Sequence, residues 1–418
     1  MPAASRPYVT ITADTHAGAS LDTYREYLDP AYRDEFDRWR AAYRNPSKKH
    51  LGGKKTKNWD TAERMADLEA DGVCAEVIFP NTVPPFYDTA FHISRPPPPE
   101  RYRHWLAGIR AHNRWLAEWC QEAPERRAGI GLLHLNDVDD AIEDARWIAA
   151  HGLRGGVLLP LPPDDMKHIR PLYAPEYDRL WAVLQDLGLV MNQHAGAGSP
   201  DYGPYPAADP LWILETGFFS QRGFKQLILG GVFERFPRLR YVLTESGCAW
   251  VPGLLERMDQ IHLGMKAGMI GEMDYSRATA LPEPPSFYAK RNCWYGASFP
   301  SPPEIADRHV VGVDRILWGS DYPHYEGTFP YTREAIRLTF ADVDPAETRL
   351  ILGENSARLY GFDLAKLAPV AERVGVTPEL VTTPLAEIPK EATSPMLRQA
   401  RFERRRASRS GAAPAGGA

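Results

Sequence analysis

Cysteine is scarce and unpatterned in this chain: Cys74, Cys120, Cys248 and Cys293 are scattered, with no CxxC spacing that would mark a metal knuckle or a redox pair. No run of about 18 apolar residues appears, which argues against a membrane-spanning helix. No charged-then-apolar leader opens the sequence either, so a reduced, cytoplasmic setting is expected. An excess of charge of one sign is also lacking. With 49 Lys and Arg against 54 Asp and Glu, the net charge of -5 offers no general reason to bind nucleic acid or an anionic membrane. A small-molecule substrate is therefore the expected partner, and a homodimer the expected assembly.

What is present is a long series of apolar runs. They recur at residues 8–14, 74–80, 128–134, 153–159, 188–194, 239–245, 291–297 and 315–321, separated by amphipathic stretches such as 61–71, 138–150, 175–187 and 252–265. The runs are nearly continuous in apolar residues, as strands covered on both faces must be. Eight of them alternating with helices predict a (β/α)8 TIM barrel over residues 1–365. Long loops should overhang its C-terminal mouth: one at about 15–60, rich in lysine near Lys48 and Lys54, and a proline-stiffened one at 80–100. The stretch 199–210, with Tyr202 and Tyr205, can either wall the mouth or be a plain structural loop. A C-terminal extension is expected at 366–389, and a disordered basic tail at 390–418, where Arg401 to Arg409 could meet an acidic partner surface.

Ligand-type residues stand at the ends of these runs. Asp14 and His16 are two apart, so strand alternation turns both to one face. His194 follows Leu189-Val190-Met191, and Asp321 follows Ile316-Leu317-Trp318. Each alone has a bland reading as a cap or a satisfied core group. Together, two imidazoles and two carboxylates converging at a barrel mouth suit Zn²⁺, Mn²⁺ or Fe²⁺ with positions left for water and substrate. Glu245 ends another run and can serve as acid or base, as support for a ligand, or as a ligand to a second metal. His324, three residues past Asp321, is a candidate hydrogen-bond donor to substrate, or else a loop histidine. Glu76 and His134 are further ligand candidates, more naturally read as core.

The segments Ala13-Asp14-Thr15-His16, AEVIFPN (75–81), NRWLAE (113–118), QHAG (193–196), TESGCAWVP (244–252), WGSDYPHYEGTFP (318–330) and GENSARLYGFD (353–363) resemble the amidohydrolase-related family in order and placement. That family includes aminocarboxymuconate-semialdehyde and resorcylate decarboxylases. The resemblance implies Asp14, His16, His194 and Asp321 as metal ligands from the first, fifth and eighth strands. Three departures stand out. Asp14 replaces the first His of the HxH pair of many members; no Lys lies in 153–160 to bridge two metals; and Glu245 stands where decarboxylases usually carry a catalytic His.

The expectation is a metal-dependent hydrolase, zinc being the favoured ion. Metal-bound water would attack a small organic, ring-containing substrate, with Asp321 or Glu245 moving the proton. The alternatives are a non-oxidative decarboxylase and, with Glu245 as a ligand, a non-haem di-iron monooxygenase holding two irons.

Overall fold

The computed structural model describes residues 6–44 and 55–410. The lysine-rich part of the first long loop and the last residues of the tail lie outside this range. Eight parallel strands form the barrel: β1 (Ile11–Ala17), β2 (Ala75–Pro80), β3 (Arg127–Leu132), β4 (Gly156–Leu158), β5 (Val190–His194), β6 (Arg240–Thr244), β7 (Cys293–Ser298) and β8 (Ile316–Gly319). The ring closes through β1 and the end of β8. Asp321 N donates to Asp14 O at 2.9 Å and His16 N donates to Tyr322 O at 2.7 Å.

Strand alternation explains the two-layer core. Along β6, Tyr241 and Leu243 pack in the cluster shared with the outer helices, whereas Val242 packs with Ile11, Val77, Ile130, Val190 and Leu317 from the neighbouring strands. Helices Thr61–Ala70, Val138–Ala150, Asp178–Leu187 and Val251–Ala267 cover the outside. Side chains cap the first two: Asp60 accepts from Glu63 N, and Asp137 from the amides of Asp139 and Asp140. Gly188, at φ 64°, ends the sixth α-helix in the left-handed conformation that glycine adopts without a Cβ clash.

Two expectations change. β1 continues through Asp14 and His16, so these residues lie within the strand and not after it. The pairing with β2 shifts register between Thr12 and Thr15, and such an irregularity re-aims side chains locally. The tail expected to be disordered carries a helix, Pro395–Ser410, because Met396 and Leu397 bury against Ala335 and Ile388. The loop at 80–100 is an excursion with only short 3-10 turns, as its prolines predict. No helix among the described residues is long and apolar enough to cross a membrane.

Candidate metal centre

At the C-terminal mouth of the barrel, ligand-type atoms from three strands face one another. His16 Nε2 lies 3.4 Å from Asp14 Oδ1 and 3.3 Å from Asp321 Oδ1. His194 Nε2 lies 3.5 Å from the same Asp14 oxygen. Asp14, His16 and Asp321 are fully buried and His194 is 2% exposed. Yet Asp14 Oδ1, His16 Nε2 and His194 Nε2 make no well-formed hydrogen bond outside this group, and neither does Asp321 Oδ2, while Asp321 Oδ1 is met by His324 Nδ1 at 2.8 Å. Buried polar atoms are normally paired, and leaving one unpaired costs about 1–3 kcal/mol. Asp14, His16 and His194 each offer a ligand atom within 4.8 Å of the other two, and Asp321 adjoins them through His16, in a second such group with His324. Buried acceptors left facing one another in this way suit an ion.

The second atoms of these side chains are already committed. His16 Nδ1 is 3.1 Å from Pro80 O, and His194 Nδ1 is 3.0 Å from Ala195 O. With a proton on each Nδ1 facing a carbonyl, the neutral imidazole leaves Nε2 bare, the tautomer a metal takes. Ser298 Oγ donates to Asp14 Oδ2 at 2.5 Å, turning Oδ1 inward. Beneath the ligands, buried Glu76 accepts from Thr15 Oγ1 at 3.0 Å and from Arg64 Nη2 at 2.7 Å, while Arg64 Nη1 donates to His16 O at 2.8 Å. Glu76 thus anchors the β1 backbone and is no ligand. His134 bonds to Tyr87 and is absent from the cage as well.

Backbone strain coincides with the chemistry. Glu245 (φ 58°) immediately follows β6, Asp321 (φ 59°) stands two residues past β8, and both occupy the left-handed region, which a non-glycine residue visits at a cost of about 1–3 kcal/mol. Glu245 Oε2 lies 3.5 Å from His194 Nδ1. His324 stacks on His16 with ring centroids 4.0 Å apart, and its Nδ1 is 2.8 Å from Asp321 Oδ1. Its Nε2 faces Asn81 Oδ1 at 3.1 Å. The loop-histidine reading gives way to a place at the site.

Charge follows geometry. Burial alone would raise Asp14, but hydrogen bonds from His16 and His194 hold its carboxyl well below the usual range. Burial would lower His194, yet the charges of Glu245 and Asp14 push it up to about 9; His324 also reaches about 9, against burial, through Asp321. Glu245 moves the other way. Desolvation and then the Asp321 charge raise it well above an ordinary carboxyl, against the pull of His194, so these two side chains compete for a proton.

Two residues at this site carry no sequence signal of the strand-end kind. His92, on the proline-rich loop, places its ring 5.2 Å from both His16 and His194. Glu326 joins Glu245, Asp321 and His324 in a second group whose ligand-type atoms lie within 4.8 Å of one another. Spacing in the WGSDYPHYE segment could have flagged Glu326; nothing local flags His92. The tyrosines of 199–210 point elsewhere, Tyr202 to Glu215 and Tyr205 into solvent.

Among curated proteins, a gamma-resorcylate decarboxylase from Rhodococcus jostii is 25% identical over 287 residues, covering 63% of this chain and 79% of that one. A putative glutamate–cysteine ligase from Nocardioides is 27% identical over 254 residues, covering 55% of this chain and 57% of that one. Among solved structures, a 5-carboxyvanillate decarboxylase from Novosphingobium aromaticivorans, with bound manganese and 3-methoxy-4-hydroxy-5-nitrobenzoic acid, superposes with a TM-score of 0.63. It is 19% identical and covers 85% of this chain and 97% of that one. The strand order and the mouth-facing cage agree with the match of the amidohydrolase family model to residues 84–362, well over half of the sequence, and the chain belongs to the amidohydrolase family.

Proposed function

We propose that this protein is a divalent-metal-dependent decarboxylase of a small ring-bearing carboxylic acid. The carrying observation is the set of buried ligand-type atoms on Asp14, His16, His194 and Asp321 facing one another at the mouth, set beside the Glu245 carboxyl, whose proton affinity burial raises. Asp14, His16, His194 and Asp321 would hold the ion, and its chemistry is to anchor and polarise a substrate oxygen. Manganese is favoured over zinc, since relatives with this fold carry manganese.

Glu245 is the acid of the reaction. Its proton goes to the ring carbon as the bond to the carboxylate breaks; the electron pair stays with the ring, CO₂ leaves, and water returns a proton to Glu245. His194, 3.5 Å away, fixes the Glu245 carboxyl, and His324 orients the Asp321 carboxylate from 2.8 Å. The hydrolysis expected from sequence has less support, because more of the similar proteins are described as decarboxylases than as amidohydrolases.

The test is CO₂ release from hydroxybenzoates by manganese-loaded protein, with 2,6-dihydroxybenzoate first. Glu245→Gln should lose at least about a hundredfold in rate, in the usual range for an acid–base group, while keeping its manganese. Release of an alcohol or amine from esters and amides, with no CO₂ from any acid, would return the account to hydrolysis.

A second reading rests on the group formed by Glu245, Asp321, His324 and Glu326, contiguous with the first through Asp321. It would hold a second ion, and with two irons per chain the site would suit O₂-dependent hydroxylation. Two irons that survive dialysis, with product formed only in oxygen, favour it.

A further inference from the structure

The helix Ala208–Leu229 packs on the barrel only through its second half, where Ser220, Gly223, Phe224, Leu227 and Ile228 are buried. Its first half is apolar and yet faces solvent. Leu211, Ile213, Leu214 and Phe218 are 41%, 63%, 77% and 59% exposed, and Tyr205, just ahead of the helix, is 71% exposed. At 3.6 residues per turn Pro210, Ile213, Leu214, Gly217 and Phe218 share one face, and none of them is charged. A solvated helix face is normally polar. The five exposed side chains present on the order of 600 Å² of apolar surface, the upper end of what a soluble monomer leaves in one patch and close to the ~800 Å² that each partner gives to a stable interface.

The chemistry of this face selects what covers it. From Asp209 to Gln221 the helix has no Lys or Arg, the residues with which an interfacial helix holds an anionic membrane. An uncharged apolar face is complementary to itself, and a two-fold axis, the commonest symmetry of assemblies, brings two such faces together. At Gly217 a Cβ would meet no atom within 4 Å among the described residues. A second backbone can therefore approach there to the separation of packed helices, about 8–10 Å.

The same helix touches the metal centre's supports. Gln193, next to His194, donates from Nε2 to Ser220 O at 2.6 Å, and Ser246, next to Glu245, lies 3.5 Å from Ser220 between hydroxyl oxygens. In the exposed half, Trp212 Cζ2 stands 3.6 Å from where a Cβ on Gly196 would be, two residues past His194.

We propose that the outward face of residues 210–218 packs on the same face of a second copy of this chain, about a two-fold axis near Gly217, and that this pairing steadies the strand ends that carry His194 and Glu245. The paired form is then the one that holds its ion well. This holds whichever reaction the centre performs, so failure of the decarboxylase reading leaves it standing.

Sedimentation equilibrium of the full chain should give twice the 46.9 kDa of one copy. Ile213→Glu together with Leu214→Glu, which sets like charges against each other across the axis, should weaken self-association at least about a hundredfold. Leu263→Glu, at a 69% exposed position on another helix, should leave it unchanged. A nitroxide on Gly217→Cys gives a readout that needs no weakened interface, since the four native cysteines are buried. Its electron-spin distance to the second copy should be under about 25 Å, the span of two packed helices and their label arms. The paired double variant, once monomeric, should bind manganese about fivefold or more weakly than the wild type by equilibrium dialysis, the size of an ordinary coupling between sites. A monomeric wild type, a dimer that survives both glutamates or yields to Leu263→Glu, or a longer spin distance overturns the proposal. So does flotation of a monomeric wild type with phosphatidylglycerol-containing vesicles, which would make a membrane the occupant. Unchanged manganese affinity in the monomeric variant overturns the coupling to the metal centre.

Discussion

Loading a divalent ion into the metal-free protein should expel protons, and the number follows from the cage. His194 must present a bare Nε2 to an ion, yet in the ion-free chain Glu245 and Asp14 outweigh its burial and raise it to about 9. At pH 7 the imidazolium then outnumbers the neutral ring by about a hundred to one. One proton per ion is released, and the apparent affinity rises about tenfold per pH unit from 7 towards 9, then levels. The handicap at pH 7 is about 3 kcal/mol, at about 1.4 kcal/mol per unit. His324, also near 9, sits against Asp321 and is expected to yield part of a second proton as the ion arrives. The same shifts set the stability of the ion-free protein. A folded pKa above the unfolded value of about 6.5 gives stabilisation that is complete below pH 6.5 and disappears as pH rises through 9. Calorimetry with manganese at pH 7.5, in buffers of different ionisation enthalpy, counts the protons directly. Zero protons released, with an affinity flat from pH 6.5 to 9, would refute the reasoning.

Glu76→Gln should destabilise the fold by about 3–5 kcal/mol in urea, because Arg64 and Arg127 would be left facing a neutral amide at a fully buried site; a change under about 1 kcal/mol contradicts the anchoring role. Gly319→Ala should weaken manganese binding at least about tenfold, since a Cβ there would lie 2.7 Å from Asp14 Cβ and 3.1 Å from Ser298 Oγ, and overpacking of this kind costs about 1–3 kcal/mol. Equilibrium dialysis that finds the affinity unchanged would mean that Asp14 is not held by this contact.

The cage was legible because its members end apolar runs. A carboxylate or imidazole after Leu189-Val190-Met191 or Ile316-Leu317-Trp318 has few reasons to be there apart from a partner. The boundary of β1 was less legible: Thr12 and Asp14 look like the close of a strand, but the backbone keeps pairing with β2 through His16 and Phe79. His92 could not be found at all, since the path of its loop is set by packing of Tyr87 and Phe91 against Trp105 and His134 and not by a local pattern. The arginine-rich helix 395–410 was hidden for a related reason. Its composition reads as solvated, and only contact with Ala335 and Ile388 gives Met396 and Leu397 somewhere to bury. Reaction type was the least legible, because two histidines and two carboxylates serve a hydrolase and a decarboxylase equally well.

The most direct measurement is an anomalous-difference map from crystals grown with manganese. The account predicts a peak within coordinating distance of Asp14, His16, His194 and Asp321 together, and its loss in His194→Ala crystals of the same form. A map with no peak among these four side chains, or one that survives unchanged without the His194 imidazole, would contradict it.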